Sequence, residues 1–526
     1  MIRLVLLLAL MLSPQAPPET LLGVTDMEEL NEEAAERLDF LERHPLKVNY
    51  ATEARMAASG LMSRYQAASL ADYRSLHGDV LSVAELAAVD GFGPAVAEAM
   101  RPYLSFESSR LPGQADESAG LSHEIELRAG TKFPRTTIAG RYRLEYGSRI
   151  EAAVSYRDRL NGYASVSGRR WKAVAGCFNA RFGQGLALWS GMSIGGVTTP
   201  EAAGRRASGI APTWTFSDTG FRGLAGEYAV GKLRMSAFLD ARGRVSSGGN
   251  ILWLMKNGEL GLTATRSKAS ADFRLTLRGS DLFGEAAYDC RDHVIAGIVG
   301  TAFPLWERGR AAVVFRHYPT GFDGKDSGAM RSSTKVTDET GVFAALRLGS
   351  ILTSADAVVH PGTGRRQLKL LLQHEWKISP SVSLKTRATE RLRDYDRRTR
   401  TDVRTDLGVT RGSMVMNFRL NALKCREIGF AGYAEAGYKR EKSALWLRWT
   451  AFKVDNWDDR IYVYERDAPG NFSVPACYGR GFTFSLYGSW KIRRLRLYLK
   501  SGTTFKERSG TRSLSSDLHF KLSYSL

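Results

Sequence analysis

Two hydrophobic periods divide this chain. Between Met27 and Arg43, the residues Met27, Leu30, Ala34, Leu38 and Leu41 recur at helical spacing with carboxylates between them. Pro45 ends that helix. Thr52 is placed to cap a second helix reaching about Ala58, and Ser63 to Leu76 reads as a third, closed by Gly78. Ser82 and Glu85 form a capping box for a fourth, and Pro94 suits the first turn of a fifth. From about Ser122 the period becomes two. Leu368, Leu370, Leu372, His374 and Trp376 alternate with Lys369, Gln373, Glu375 and Lys377, and Phe482, Phe484 and Leu486 alternate with Thr483 and Ser485. One face is apolar or aromatic and the other is polar, often basic.

A soluble sandwich also alternates. A closed barrel in lipid does so with the apolar face outward and the polar face lining the lumen. Three features favour the barrel. The start, MIRLVLLLALMLSPQA, has the cation and short apolar run of a signal peptide. No later stretch has the apolar length of a membrane helix. The last ten residues, DLHFKLSYSL, place Leu518, Phe520, Leu522, Tyr524 and Leu526 on one face, which resembles the C-terminal strand by which outer-membrane barrels are recognised. About 400 residues at roughly 20–25 per strand and connection predict about 16–20 strands. The polar stretches 319–341 and 390–406 are expected as extracellular loops. The expected organisation is a signal peptide (1–16), an acidic amphipathic helix (17–45), a small all-α domain (46–106), a linker (107–121) and a large transmembrane antiparallel β-barrel (122–526).

Charge sharpens this division. Residues 17–110 carry 16 acidic against 8 basic side chains, whereas residues 111–526 carry 39 against 65. Two regions of opposite sign imply two domains with different surroundings. Arg494, Arg496 and Lys500 alternate with Leu495, Leu497 and Leu499, so leucines in lipid would put these cations in the lumen and favour an anionic solute. Lipid phosphates and the local acids are alternative partners for the basic residues.

Residues 89–100, VDGFGPAVAEAM, carry Gly91, Phe92, Gly93 and Ala97 in a pattern that resembles the second turn of a helix-hairpin-helix motif. At an offset of 31 residues, Gly60 matches Gly91, Leu61 matches Phe92, and Met62 replaces the second glycine. With RFGQGLALW (181–189), SGIAPTWTFSDTGFRGLA (208–225) and DDRIYVYERDAPGNFSVPACYGRGF (458–482), the chain resembles a family of outer-membrane β-barrels with an N-terminal, ComEA-like helix-hairpin-helix domain. The resemblance implies a tandem hairpin domain before the barrel. It implies phosphate or protein contact at Gly60, Leu61, Gly91, Phe92 and Gly93, and leaves the biochemical role open.

Other motifs add little. Arg181, Phe182, Gly183, Gln184 and Gly185 suit an inward bend or plug, or else a simple strand-to-loop kink. Gly191-Met192-Ser193-Ile194-Gly195 has hydrolase spacing, but no helix pattern follows it. The scattered histidines and the four separated cysteines (Cys177, Cys290, Cys425, Cys477) show no metal or cofactor spacing, although disulfides stay possible. The expectation is therefore a non-enzymatic, porin-like protein of the cell outer membrane, in contact with its lipids and with the N-terminal domain in the periplasm. It would be a channel, transport component or platform whose small domain docks a periplasmic protein. DNA uptake through the hairpins and a closed structural barrel are the alternatives. The acidic hairpins count against nucleic acid.

Overall fold

The computed structural model describes residues 21–526 except 26, 31, 110–119, 133–134, 148, 192, 194, 215–219, 244, 307–308, 397 and 509. The expected signal peptide and most of the expected linker lie outside the described residues.

Alternation builds the wall. In the strand Gly309–Tyr318, Ala312, Val314, Arg316 and Tyr318 are buried, whereas Val313 and Phe315 are exposed. Antiparallel pairing runs from neighbour to neighbour until the last strand, Thr511–Ser525, pairs back onto the first, Leu121–Lys132, with Leu522 opposite Leu127. Closure leaves no open strand edge. Among the described residues, 24 strands form this wall. The fold is mainly β as expected, but the strand number exceeds the expected 16–20. The strands span 7 to 15 residues, and the connections at one end are two or three residues long, so each hairpin uses less chain than anticipated.

The wall is inverted relative to a soluble protein. Leu372 is 55 % exposed and Leu420 74 %, whereas Arg316 and Lys521 are fully buried. Apolar outside and charged inside suits a barrel with lipid around it. Among the described residues no helix is long and apolar enough to cross a membrane.

The two ends differ. The short turns, the first strand's start and the C-terminus share one end; the long connections 182–220, 319–338 and 455–478 share the other. These three connections fold inward. Residues 390–406, expected as a loop, are mostly the strands Val382–Arg393 and Thr399–Arg411. Their inward charges leave little apolar alternation to read.

Among the described residues up to Met100 there are five α-helices, α1 (Glu32–Arg43), α2 (Glu53–Ala58), α3 (Arg64–His77), α4 (Val83–Ala88) and α5 (Gly93–Met100). Caps set their starts: Thr52 accepts from Arg55 N, Ser63 and Gln66 form a reciprocal box, and Ser82 accepts from Glu85 N. Helices α2–α3 and α4–α5 make two hairpins around a core that includes Leu41, Met56, Met62, Leu70, Leu86, Phe92 and Met100.

A closed wall predicts slow unfolding in detergent. Unheated protein should migrate faster than boiled protein on a denaturing gel. Leu372→Arg, on the outer face, should cost about 2–4 kcal/mol in a bilayer unfolding titration. A variant as stable as the parent would count against lipid exposure of that face.

Candidate functional site

The lumen is filled by the chain's own N-terminal segment. Residues 21–25, the short 3-10 turn Met27–Glu29 and α1 lie against inward side chains on well-separated arcs of the wall. The contacts are mostly ionic. Glu28 pairs with Arg419 and accepts from Tyr464 N at 3.2 Å, with Arg404 at 3.7 Å. Glu29 pairs with Arg387 at 3.0 Å. One helical turn on, Glu33 accepts from Arg181 at 2.6 Å and from Asn179 at 3.0 Å. Glu36 holds both Arg128, at 3.2 Å, and Arg141. Lys385 donates to the carbonyl of Thr25 at 2.8 Å.

Helical geometry makes this possible. Glu33 and Glu36 are three residues apart within α1, so they fall on one side of that helix, whereas Glu29, in the preceding 3-10 turn, meets a different arc of the wall. Glu33 and Glu36 are each 3 % exposed, and Arg404 is 2 %. Such pairs add little net stability, because desolvation offsets their attraction, but removing one partner strands a buried charge.

Two in-folded connections meet the plug. The segment Arg181–Gly185 leaves the wall and enters the lumen, where Gln184 N, Leu186 N and Ala187 N all donate to Glu285 at 2.7–3.0 Å. Gly183 and Gly185 take positive φ (+55° and +86°), and a Cβ on Gly183 would lie 2.8 Å from the Glu285 carboxylate. Gly328 N and Ala329 N of the second connection donate to Gly185 O. Gly470 N of the third donates to Asp39 at 3.3 Å.

The hairpins occupy the mouth at the short-turn end. Arg64 N, at the start of α3, donates to Ala207 O, and its guanidinium reaches Ser236, at 3.0 Å, and Asn250 on the wall. Tyr65 donates to Lys256 O at 3.1 Å. The first turn, with Gly60, Leu61 and Met62, is therefore turned toward the barrel; Leu61 is 4 % exposed and Met62 fully buried. The second turn differs. Phe92 is buried, Gly91 packs on Tyr65, and Pro94 and Ala95 after Gly93 are exposed. A cleft of about 470 Å³ remains between hairpins and wall, where Arg143 stacks on Phe40 and Trp214.

The basic trio expected in the lumen divides. Lys500 is buried and faces Glu465 at 2.8 Å and Asp517 at 3.2 Å. Arg496 shares its face and is half-buried, whereas Arg494 lies exposed in a turn. Ser193 of the Gly191–Gly195 stretch accepts from Arg331 at 2.9 Å. All four cysteines are free, and burial pushes the Cys477 thiol up to about 12, which keeps it protonated. Among the described residues no cluster suits a metal ion. Of these arginines the sequence singles out Arg181, as part of a possible inward bend or plug, but not the others and not the glutamates of the plug. The signal was the opposite net charge of the two regions.

No family model matches the chain, and no curated protein matches it. Its fold is similar to solved membrane barrels. The translocation pore of the P pilus usher PapC aligns at 9 % identity and a TM-score of 0.38, over 77 % of this chain and 99 % of that one. OccK3 (OpdO) of Pseudomonas aeruginosa aligns at 11 % and 0.31, over 78 % and 97 %. OprD of the same organism aligns at 8 % and 0.34, over 78 % and 98 %. At these scores the likeness carries no argument, and the barrel is read from the strand pairing itself.

Glu36→Gln should leave Arg128 and Arg141 with Glu126 of the wall as their shared carboxylate and remove their ionic hold on α1. The expected result is weaker docking of the plug. Limited proteolysis should then cut between residues 21 and 43 in the variant and spare the parent. Equal resistance would show that the pairing does not hold the segment.

Proposed function

We propose that this chain is an outer-membrane channel or transport component whose lumen is closed by its own acidic N-terminal segment. The observation that carries the reading is the set of four glutamates, Glu28, Glu29, Glu33 and Glu36, ion-paired inside the barrel to arginines of its wall. A permanent core has no need of them, since well-packed apolar side chains would serve as well or better. Ion pairs in a wettable lumen can instead be exchanged for water and small ions. When the segment leaves, the wall loses four carboxylates from beside Arg128, Arg141, Arg181, Arg387, Arg404 and Arg419, while Glu126 and Asp406 stay with four of them, and the lining that results has a cationic surplus suited to an anionic solute. The short turns, the first strand's start and the last strand's end face the periplasm in this reading, as in other such barrels. The hairpin mouth then faces the periplasm too, and its exposed tip at Pro94 and Ala95 is the surface left for a protein partner.

The test is conductance in a planar bilayer. The parent should show small, infrequent openings. The variant with Glu28, Glu29, Glu33 and Glu36 all changed to Gln should conduct more and prefer anions. If the variant stays closed while folded, the barrel is a structural platform. If the parent already conducts as fully as the variant, the segment is not a gate.

The nucleic-acid reading weakens on the same geometry. In the first hairpin, the N–H at the start of α3 is already bound to Ala207 O. In the second, Gly93 is followed by Pro94, Ala95, Val96 and Ala97 with no cation. Affinity for a polyanion needs cations that displace its counterions. The full-length protein in non-ionic detergent should give no salt-sensitive binding in a duplex-DNA titration. Binding that Gly91→Asp abolishes would restore DNA uptake.

A further inference from the structure

The plug neutralises one tier of lumen arginines and leaves the next tier bare. On three adjacent strands, Lys369, Arg391 and Arg400 stand directly opposite one another: Lys369 pairs in register with Arg391, and Arg391 with Arg400. All three face inward. Lys369 shares its face with buried Leu371 and Gln373, Arg391 with Arg387, and Arg400 with Arg404. Directly opposed residues sit about 4.5–5.5 Å apart at Cα. Like charges in that position repel.

The surroundings do not cancel the row. The neighbour of Lys369 on its other side is Asp356, but that carboxylate is held by Arg316 at 2.8 Å and by Ser332. Arg400 gives one N–H to Arg460 O at 3.1 Å. The next inward cation, Arg393, is taken up by Gln367 at 3.3 Å and Asp396 at 3.6 Å. Among the described residues neither Lys369 nor Arg391 has a hydrogen bond or ion pair of its own. Four residues nearer the short-turn end on the same strands, Arg387 and Arg404 reach the plug's Glu29 and Glu28. At about 3.3 Å per residue, the row lies roughly 13 Å along the strands from Arg387 and Arg404, toward the long connections, and Glu29 of the plug is within electrostatic reach of Lys369.

Three opposed cations persist at low cost only if an anion screens them. Two guanidinium forks can each grip an oxyanion with two parallel N–H bonds, while a lysine adds a point charge. We propose that the row Lys369–Arg391–Arg400 binds a small multivalent oxyanion, a phosphate ester or polycarboxylate, on the inner face of the wall toward the long connections. The proposal deepens the channel reading and rests on it for the route by which the anion arrives.

Calorimetric titration of the full-length protein in non-ionic detergent at low salt tests it, with inorganic pyrophosphate and citrate as probes and chloride as the monovalent control. The parent should bind both probes in preference to chloride. Lys369→Gln with Arg391→Gln should weaken binding by about tenfold or more. Arg391→Lys, which keeps charge but loses the fork, should fall between. Arg496→Gln, inward but at the other end of the barrel, should bind as the parent does. Without probe, the double variant should melt higher than the parent because a repulsion is gone, and pyrophosphate should raise the parent's melting temperature but not the variant's. No binding by the parent, parental binding by the double variant, or equal loss in Arg496→Gln would each overturn the proposal. Those outcomes are read independently of conductance, so the plug reading stands or falls separately.

Discussion

A barrel with charged residues on its inner face must neutralise them, and this need organises the rest of the molecule. Water would do so in an open pore. Here the lumen is largely filled by protein, so each inward cation needs a carboxylate or a carbonyl. Glu36 between Arg128 and Arg141 shows the solution: one anion from the N-terminal helix serves two strands at once. The acidic surplus of the first hundred residues and the basic surplus of the barrel are two halves of one electrostatic balance. Neither half is comfortable alone, which ties the seating of α1 to the formation of the wall around it.

The in-folded connections obey the same rule with backbone donors. A loop inside a lumen carries N–H groups that neither sheet nor bulk water satisfies. The first two long connections are each fastened by a buried carboxylate that collects several of them, and the third supplies such a carboxylate to a neighbouring turn. Glu285 takes three N–H groups from residues 184–187, and Glu339 takes those of Ser332 and Ser333. Asp459, fully buried, reaches from the third connection to Cys425, Arg426 and Glu427 N at the tip of a neighbouring hairpin. A carboxylate that accepts two or three backbone bonds fixes the loop's path. Deep loops and plug therefore share one chemistry, anions from one element meeting donors from another.

How much of this the sequence disclosed follows from which contacts are local. Helix caps act within four residues, so Thr52, Ser63 and Ser82 announced the helices they start. Strand alternation is also local, and it showed plainly where Leu368 to Trp376 face lipid. It failed at 390–406, where inward Arg391, Arg400 and Arg404 sit among outward threonines and the apolar signal is thin. The strand number was underestimated because turn length, set by two or three residues at a time, is not visible in the period. The plug was least legible. Glu33 meets Arg181 across 148 residues and Glu29 meets Arg387 across 358, and only the opposite net charges hinted at such pairing.

The first hairpin shows how docking reshapes a motif. Both hairpins share a glycine with positive φ at the turn, Gly60 and Gly91, so the chain reversal is preserved. Only the second keeps the following glycine, Gly93, which has open space around it. At the matching position the first hairpin has Met62, fully buried in the helical core. A phosphate-binding turn needs exposed N–H groups and backbone close enough for the ligand to approach. A turn pressed against a barrel mouth needs apolar volume and a polar arm, which Met62 and Arg64 provide. Met62 in place of a second glycine and the contact from Arg64 N to Ala207 O thus go together: the first turn is shaped for docking on its own barrel and not for exposure.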